Sequence, residues 1–418
     1  MQTIRGFRDI LPENIGIWQK IEKEFNALFS AFGYKEIRIP VLEKTELFAR
    51  SIGEVTDIVE KEMYTFPDRK GDKLTLRPEA TACICRSYVQ HKMYASEPVR
   101  KFCFSGPMFR RERPQKGRYR QFYQLDAEVF GISSPYIDAE LIFLLNELFQ
   151  RLGLTGLNAH INSLGCPDCR PKFTQALMDY LGANKENLCE NCKRRMEKNP
   201  LRILDCKVEG CREALKGAPA TVDHLCPDCD AHFNTVKTTL AAQGVEFTVD
   251  KSLVRGLDYY TRTAWEIQTT ALGAQSAVAG GGRYDGLVKE LGGPETPAIG
   301  FAIGFDRLAE VMEQLGQIPE EPGLDLFILP LGEAAMDKAY AWYCALNQKG
   351  FRVDTDFRGK SMKALMKRAN KLNAARVLIA GENELAANTI ILRDMATKEQ
   401  VELPMETIID DLSSILNK

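Results

Sequence analysis

The chain has 418 residues, 44% of them hydrophobic, which is sufficient for two or three domains with buried cores. Its formal net charge of −2 excludes a protein that is basic over its whole surface, so any nucleic-acid site must be a local patch. No apolar run is long enough to span a membrane, and we therefore expect no membrane partner.

The first third of the sequence predicts both helices and strands. It starts with MQTIRGFRDILP, which lacks the apolar segment of a signal peptide, so we expect a cytoplasmic protein with reduced cysteines. Residues 14–32 show apolar side chains at helical spacing, and Gly33 follows where a helix commonly ends. The alternating segment YKEIRIP, ending in Pro40, is typical of a strand. A second helix is predicted from Asp138, as its N-cap, to Gly153.

The order of these elements predicts the fold class. Short strand-like runs such as KLTLRP and VRKFCFSGPMFR occur without a regular strand–helix alternation, which indicates an α+β domain on an antiparallel sheet. Strand-like segments resume at VEFTVD and TAWEIQT, after a stretch rich in cysteine. We therefore predict a first domain at 1–320, interrupted by a cysteine-rich insertion at 166–240.

The C-terminal part of the chain has a different pattern. The segment IPEEPG reads as a linker, and after it strand-like runs such as DLFILPL and RVLIAG alternate with predicted helices at 333–349 and 361–373. Such alternation predicts a separate α/β domain at 324–418.

One basic segment, FRRERPQKGRYRQF, has two interpretations. Between Arg110 and Arg120 it contains six basic residues and one acidic residue, with a turn signalled by proline and glycine. It fits a solvated basic turn, and it also fits a hairpin that binds polyphosphate and RNA, because the planar arginine group donates paired hydrogen bonds to phosphate.

Two glycine-rich segments are similarly open. IGFAIGFDRL ends in Arg307 and suits a strand–helix junction that a ligand approaches closely. AGGGRYDGL lacks the spacing of a dinucleotide-binding fingerprint, but its three glycines would expose backbone N–H groups and leave room for a ligand. Each segment also fits a buried structural role.

Two further segments place polar groups near predicted strands. In LTLRPEAT, Glu79 could pair with a substrate ammonium group or form a surface salt bridge. In LVRGLDYYTRT, Arg255 lies near two tyrosines. These tyrosines could bind a polar ring and a carboxylate, or they could be strand residues with no role in binding.

Seven segments, taken in order, resemble the motifs of the bacterial-type histidyl-tRNA synthetases, which are class II aminoacyl-tRNA synthetases: GFRDILP, YKEIRIP, TLRPEAT, FRRERPQKGRYRQF, LVRGLDYYTRT, AGGGRYDGL and IGFAIGFDRL. YKEIRIP is similar to the dimer-forming first class motif, FRRERP to the second and GFDRL to the third. LVRGLDYYTRT and AGGGRYDGL resemble the two signatures particular to the histidine enzymes. The cysteine-rich middle departs from the family pattern.

The resemblance implies a fold and a reaction. The fold would be a class II catalytic domain with a small inserted module, followed by an α/β anticodon-binding domain, in a homodimer. The reaction would be the activation of L-histidine by ATP, with Mg²⁺ bridging the β- and γ-phosphates, and transfer of the histidyl group to tRNA(His).

The resemblance also assigns catalytic and tRNA-binding residues. Arg110 and Arg307 match positions that bind ATP phosphates, and Arg255 matches the position that bridges the histidine carboxylate and the α-phosphate. Arg113 and Gln115 match loop positions that meet the extra guanosine at the 5′ end of this tRNA.

Six positions match the histidine pocket of the family: Glu79, Thr81, Gln124, Glu128, Tyr260 and Tyr284. The first three match positions that hold the α-amino group. Glu128 and Tyr260 match positions that read the imidazole nitrogens, and Tyr284 lines the same pocket. Such a pocket suits imidazole, because each ring nitrogen needs a partner of defined donor or acceptor sense.

The insertion contains eight candidate zinc ligands: Cys166, Cys169, Cys189, Cys192, Cys206, Cys211, Cys226 and Cys229. Six of them form CxxC pairs, and structural zinc usually takes four ligands, so eight suffice for two sites. His224 and His232 flank the last pair and could substitute. The alternative is a helical module with eight reduced cysteines.

Two other interpretations of the whole chain remain open to test. A non-catalytic paralogue, the regulatory subunit of ATP phosphoribosyltransferase, lacks an anticodon domain, and residues 324–418 argue against it. An RNA-sensing domain of a kinase would lack the complete motif set. In the last domain, Arg358, Lys360 and Lys363 fit a phosphate contact and fit a solvated helix end equally well.

Overall fold

The computed structural model describes residues 1–53, 56, 58–115, 117–269, 277–319 and 323–417. The chain divides into two compact units, Met1–Pro319 and Glu320–Lys418. Within the described ranges, no helix combines the length and apolar character needed to cross a membrane.

The first unit is built on an eight-stranded sheet of order β1-β5-β6-β11-β10-β9-β7-β8, beside a small antiparallel sheet β2-β4-β3. The strands are β1 Lys35–Glu36, β2 Leu42–Lys44, β3 Tyr64–Pro67, β4 Lys73–Leu76, β5 Arg100–Phe109, β6 Gln121–Phe130, β7 Leu157–Ser163, β8 Phe247–Val249, β9 Thr261–Thr269, β10 Ala277–Arg283 and β11 Ala298–Gly304. Neighbours from β5 to β7 are antiparallel, and only the edge strands β1 and β8 pair in parallel within the described part of this sheet. The predicted antiparallel α+β fold is confirmed.

Helices cover both faces of this sheet. They are α1 Pro12–Ala31, α2 Thr45–Ile52, α3 Thr81–Gln90, α4 Met93–Ser96, α5 Pro135–Arg151, α6 Arg170–Ala183, α7 Glu190–Lys198, α8 Glu209–Ala214, α9 Pro227–Ala242, α10 Leu287–Glu290 and α11 Phe305–Gln314. Alternate strand residues pack to opposite sides, so Cys103 joins the core under α1, α5, α9 and α11, whereas Phe102 and Phe104 join the core under α2, α3 and α10.

Two local predictions were wrong in detail. Helix α5 begins at Pro135, and its N-cap is Ser134, whose hydroxyl accepts a hydrogen bond from the backbone N–H of Tyr136 at 3.4 Å. The predicted N-cap, Asp138, lies inside the helix and is fully buried. Its carboxylate accepts hydrogen bonds from Nε of Arg283 at 2.8 and 3.0 Å and is therefore not used to cap the helix. In YKEIRIP only Lys35–Glu36 pair as a strand.

The cysteine-rich module has a small core of its own. Its members are Phe173, Leu177, Leu181, Leu188, Cys192, Ile203, Cys206 and Cys211. Helix α9 does not belong to that core, because Phe233, Val236 and Leu240 pack into the main core of the first unit. The chain thus leaves the sheet after β7 and returns to it through α9.

The second unit is an α/β domain. Its sheet has the order β13-β12-β14-β15-β16, with the first three strands parallel and the others antiparallel. The elements are β12 Leu326–Pro330, α12 Glu333–Gln348, β13 Val353–Thr355, α13 Met362–Lys371, β14 Arg376–Ala380, α14 Glu382–Ala386, β15 Thr389–Asp394, β16 Gln400–Pro404 and α15 Ile408–Leu416. The predicted α/β class is confirmed, although the sequence analysis did not predict β16 or α15.

Candidate active site

A cavity of about 570 Å³ lies over the middle of the eight-stranded sheet. Its floor comes from β6, β9, β10 and β11, and its walls come from the loop 110–122, the segment 254–260 and the cysteine-rich module. Seven predicted site residues line it: Glu79, Thr81, Arg110, Gln124, Arg255, Tyr260 and Arg307. Motifs that are distant in the sequence therefore meet at one place.

The floor of the cavity is kept open by small residues on β11. In the strand register, Gly304 lies opposite Gln124, Ala302 opposite Asp126, and Gly300 opposite Glu128. The intervening residues of β11 point to the main core: Ile299, Phe301 and Ile303. The alternation in IGFAIGF thus places large side chains below the sheet and leaves space above it.

Glycine is also required where functional side chains approach the backbone. A Cβ on Gly300 would overlap the Glu128 carboxylate, and a Cβ on Gly280 would overlap the guanidinium of Arg255. Gly280 belongs to β10, which pairs with β9 and β11, so the backbone groups of the glycine run serve the sheet and not a ligand. The space predicted at AGGGR exists, but Arg255 fills part of it.

One end of the cavity is rich in buried hydrogen-bond acceptors. Oε1 of Glu79 accepts a hydrogen bond from the backbone N–H of Ala82 at 2.9 Å. Among the described residues, Oε2 of Glu79, Oε1 of Gln124 and both carboxylate oxygens of Asp126 have no hydrogen-bond partner. Burial raises the pKa of Glu79 and holds that of Asp126 well above its usual range. Since buried acceptors are normally satisfied, this end suits a cationic, donor-rich ligand.

Glu128 and Tyr284 lie behind the cavity and not on its surface. The Thr81 hydroxyl donates to Oε1 of Glu128 at 2.6 Å, and the Tyr284 hydroxyl donates to Oε2. Burial raises the pKa of Glu128 to about 8, despite these hydrogen bonds. Of the two groups that donate to Glu128, Thr81 lines the cavity and Tyr284 does not, so Glu128 would act on a bound ligand through Thr81.

Arg255 is held between a carboxylate and an aromatic ring. Its guanidinium pairs with Glu266 and lies 5.6 Å from the centre of the Tyr260 ring. Burial opposes its charge, but the neighbouring Glu266 raises its pKa, so the group stays cationic. Among the described residues its Nε has no hydrogen-bond partner.

Guanidinium groups also line the cavity, and that of Arg110 is near enough to Glu79 and Asp126 for its charge to oppose the effect of burial on their pKa values. Arg110 donates from Nε to the carbonyl of Pro78 at 2.9 Å, and its guanidinium lies 5.2 Å from the centre of the Phe122 ring. Arg307 donates to the carbonyl of Ala277, and its pKa is lowered by burial and by the charge of Arg118. Adjacent guanidinium groups in a half-buried wall suit a polyanion such as a phosphate chain.

The N-terminal motif GFRDILP supports this wall. Arg8 donates to Oδ1 of Asp306 at 2.7 Å, and Oδ2 of Asp306 accepts from the backbone N–H of Tyr123 at 2.7 Å. The carbonyl of Gly6 accepts from the backbone N–H of Arg120 at 2.7 Å. These contacts fix the first turn of α11, and hence Arg307, relative to the basic loop.

Arg113 and Gln115 are not brought into the cavity. Both are exposed on the loop between β5 and β6, where the backbones of Gln115 and Arg118 form a tight reciprocal pair. Lys116, which contributed to the predicted basic patch, lies outside the described residues.

Asp126 and Glu266 line the cavity and were not among the predicted site residues, whereas both tyrosines considered in LVRGLDYYTRT, Tyr259 and Tyr260, line it. A signal for Asp126 was present, because Gln124, Asp126 and Glu128 alternate along β6 and so share one face.

The eight module cysteines form two groups of four: Cys166, Cys169, Cys226 and Cys229, and Cys189, Cys192, Cys206 and Cys211. Within each group all sulfur atoms lie within 4.8 Å of one another. Four thiolates arranged tetrahedrally about 2.3 Å from zinc would lie about 3.8 Å apart. Sγ of Cys166 lies 3.7 Å from Sγ of Cys169 and 3.9 Å from Sγ of Cys226, which fits that geometry and is far longer than a disulfide of about 2.0 Å.

Neither histidine near these cysteines belongs to a described group of ligands. Nδ1 of His232 faces a guanidinium nitrogen of Arg262 at 3.2 Å, and Nε2 faces Oδ2 of Asp138 at 2.7 Å. Arginine only donates, so Nδ1 accepts and Nε2–H donates to Asp138. The suggestion that His232 replaces a cysteine was therefore wrong, because its ring completes a buried network around Arg283.

In the second unit, the three basic residues considered for phosphate contact differ in their surroundings. Arg358 pairs with Asp356 at 2.5 Å, and the hydrogen bonds from Arg358 are the main reason that the pKa of Asp356 lies below its usual range. Lys360 and Lys363 are exposed, and they lie just before and just after the start of α13.

The family model of histidyl-tRNA synthetase matches residues 6–308, and the anticodon-binding domain model matches residues 325–415. The chain belongs to the histidyl-tRNA synthetase family. The histidine–tRNA ligase of Desulforapulum autotrophicum is 67% identical over 416 residues, covering 100% of this chain and 98% of the relative. That of Desulfatibacillum aliphaticivorans is 54% identical, covering 100% of both chains. The solved structure of apo S. aureus histidyl-tRNA synthetase is 35% identical, with a TM-score of 0.84 and 99% of each chain covered.

The family resemblance and the class II fold are confirmed, with the catalytic and anticodon-binding models matching separate stretches of this synthetase chain. The solved structure of an ATP phosphoribosyltransferase regulatory subunit/histidyl-tRNA synthetase from Bacillus halodurans is 22% identical, with a TM-score of 0.64. This similarity shows a common fold alone.

Proposed function

We propose that this chain activates L-histidine with ATP and transfers the histidyl group to tRNA(His). The observation that carries the proposal is that one cavity combines buried acceptors that have no described donor with several guanidinium groups. An amino acid that reacts with ATP needs both kinds of group, since its ammonium group is a donor and its carboxylate approaches a phosphate chain.

At the acidic end, the α-ammonium group of histidine would bind Glu79, with Thr81 and Gln124 beside it. Support comes from Oε2 of Glu79, a buried carboxylate oxygen that no described group satisfies. Tyr260, which lines the cavity, would contact the imidazole directly. Glu128 and Tyr284 would support the pocket from behind, where Glu128 accepts hydrogen bonds from Thr81 and Tyr284.

Arg110 and Arg307, which both line the cavity, would bind the phosphates of ATP. The histidine carboxylate attacks the α-phosphorus, a P–O bond to the β-phosphate breaks, and pyrophosphate leaves. Arg255 would bridge the carboxylate and the α-phosphate, where negative charge develops, so its contribution grows toward the transition state. Carboxylates of Glu266 and Asp205 line the cavity and offer oxygen ligands for Mg²⁺. When bound, Mg²⁺ would neutralise the β- and γ-phosphates.

We assign tRNA contacts to two regions. The exposed Arg113 and Gln115 would meet the 5′ end of tRNA(His) outside the cavity, and residues 324–418 would bind the anticodon. In that domain Lys360 and Lys363 are the better phosphate contacts, because the charge of Arg358 is already paired with Asp356.

We further propose one structural zinc ion in each group of four cysteines, within an insertion that spans 166–240. The sulfur separations and two backbone N–H donors to sulfur support this: Cys226 to Sγ of Cys169 at 3.1 Å, and Cys189 to Sγ of Cys211 at 3.0 Å. Zinc would be structural, since a site with four thiolates has no open position. We expect elemental analysis of protein purified without chelator to find two zinc ions per chain, and finding none would remove this part of the proposal.

We also propose a cytoplasmic homodimer. The cytoplasm keeps thiols reduced, as thiolate ligands require. The dimer contact would follow YKEIRIP, where the edge strand β1 is followed by Val41 and Leu42, each 38% exposed. Light scattering on the purified chain tests the dimer, and a monomer at micromolar concentration would contradict it.

The function itself is tested by histidine-dependent exchange of pyrophosphate into ATP, followed by histidylation of tRNA(His) transcripts. We expect exchange with histidine and with no other standard amino acid. Absence of exchange in folded protein would instead favour a non-catalytic paralogue.

A further inference from the structure

The cysteine-rich module forms part of the wall of the active-site cavity. Arg202, Asp205 and Lys207 line the cavity, and they lie between or beside the ligands of the second cysteine group, in the segment from Cys192 to Cys211. The folding of this cysteine group therefore bears directly on the shape of the cavity.

Arg202 makes the most specific of these contacts. Its Nε donates to Oδ1 of Asp258 at 3.0 Å, and one terminal nitrogen donates to the carbonyl of Gly256 at 2.6 Å. The side chain of Arg202 is 16% exposed and that of Asp258 is 32% exposed, so the pair is partly shielded from water. Both acceptors belong to the segment LVRGLDYYTRT, between the proposed functional residues Arg255 and Tyr260.

Asp258 joins the module to the catalytic unit. Its Oδ1 also accepts from the Asn199 side chain at 3.0 Å, and its backbone N–H donates to the carbonyl of Ile52 at 3.3 Å. Gly53 makes room for the Asp258 side chain, because a Cβ there would overlap the carboxylate. Without Arg202 and Asn199, this carboxylate would lose both of its described side-chain donors.

The first cysteine group lies at the other end of the same segment. Next to Cys169, Arg170 donates to the carbonyl of Tyr260. The backbone N–H of Leu164 donates to the carbonyl of Arg262 at 2.6 Å, and the N–H of Arg262 donates to the carbonyl of Gly165 at 2.9 Å. Arg170 of the module, together with the chain just before the module at Leu164 and Gly165, thus holds the C-terminal part of the segment.

We propose that Arg202 is a positioning residue for histidine activation, which fixes the backbone between Arg255 and Tyr260 and makes histidine affinity depend on the folded module. This inference rests on the proposed function. The described hydrogen bonds of Arg202 to this segment go to Asp258 and to the backbone of Gly256, and we assign its effect on histidine to these two contacts. Its loss should affect the histidine subsite more than the ATP subsite, because Arg110 and Arg307 are anchored on other elements.

The test compares full-length Arg202→Ala, Arg202→Lys and Arg212→Ala in histidine-dependent ATP–pyrophosphate exchange. Arg212 is an exposed arginine of the same module and serves as the matched control. Since small misplacements of binding groups cost up to about a hundredfold, we expect Arg202→Ala to raise the histidine KM roughly tenfold or more, with the ATP KM changed less than about twofold. Arg202→Lys should recover part of the loss, because an ammonium group cannot reproduce both hydrogen bonds of the fork.

A double-variant cycle with Asp258→Ala tests the route of action. If Arg202 acts through Asp258, the combined variant should raise the histidine KM by clearly less than the product of the two single effects. Independent, multiplicative effects would overturn the proposal, as would a histidine KM for Arg202→Ala within twofold of wild type. Equal losses in Arg202→Ala and Arg212→Ala would also overturn it, since they would indicate general damage to the module. If wild type itself shows no histidine-dependent exchange, the proposed function fails, and this inference fails with it.

Discussion

Replacing Glu79 with glutamine should separate function from stability. The amide oxygen of glutamine can still accept the backbone N–H of Ala82, while its NH₂ group replaces Oε2, the buried oxygen that has no described donor. The side chain would then present a donor to an ammonium group that also only donates. A hydrogen bond to a charged group is worth about 1.5–3 kcal/mol, or roughly a tenfold to hundredfold change in kcat/KM for histidine.

The same substitution should not destabilise the fold. Burial raises the pKa of Glu79, which means that its ionised form is disfavoured in the folded state. A neutral glutamine removes that cost, so we expect an unchanged or higher Tm together with the kinetic loss. This combination is the signature of a residue retained for binding.

Pyrophosphate exchange at varied histidine, with thermal unfolding of the same preparations, measures both effects. Glu147→Gln is a suitable control, because Glu147 lies on α5 and pairs with Arg151 at 2.8 Å at the surface. Exchange kinetics near those of wild type for Glu79→Gln would refute the assignment. A clear fall in the Tm of Glu79→Gln relative to wild type would show that Glu79 is structural.

Three further predictions follow from the site. Arg255→Ala should slow adenylate formation by about 10²–10³ in rapid-quench experiments, with transfer from preformed histidyl-adenylate much less affected; equal slowing of both steps would contradict its proposed role. Glu128 has a pKa of about 8 in the folded chain against 4.5 unfolded, so its contribution to stability is lost as pH rises through that interval. Glu128→Gln should therefore gain free energy of unfolding relative to wild type between about pH 5 and 8, and a constant difference would argue against the raised pKa. Chelator should unfold the cysteine-rich module before the catalytic core, because metal affinity contributes folding free energy in such small units. Circular dichroism and limited proteolysis would follow the two events, and simultaneous unfolding would contradict this order.

The sequence predicted the fold class because its periodicities are local. The helical spacing of residues 14–32 appears as α1 Pro12–Ala31, and the glycine-rich run ending in Arg307 appears as the junction of β11 and α11. Asp138 failed as an N-cap because its role depends on Arg283, which is 145 residues away and which no local pattern connects to it.

The site was predicted in part for the same reason. Motif resemblance named Glu79, Arg255 and Arg307, whose side chains the fold brings to one cavity. Asp126 could have been found from the alternation along β6. The contact between Arg202 and Asp258 could not, because it joins a separately folded module to a distant loop, and the pairing of eight cysteines into two groups likewise requires three dimensions.

A crystal structure with histidine and a non-hydrolysable ATP analogue tests the central claim most directly. We predict the α-ammonium group within hydrogen-bond distance of Oε2 of Glu79, the histidine carboxylate facing Arg255, and the phosphate chain against Arg110 and Arg307. Histidine bound in the opposite orientation, or a phosphate chain that contacts neither Arg110 nor Arg307, would contradict the account.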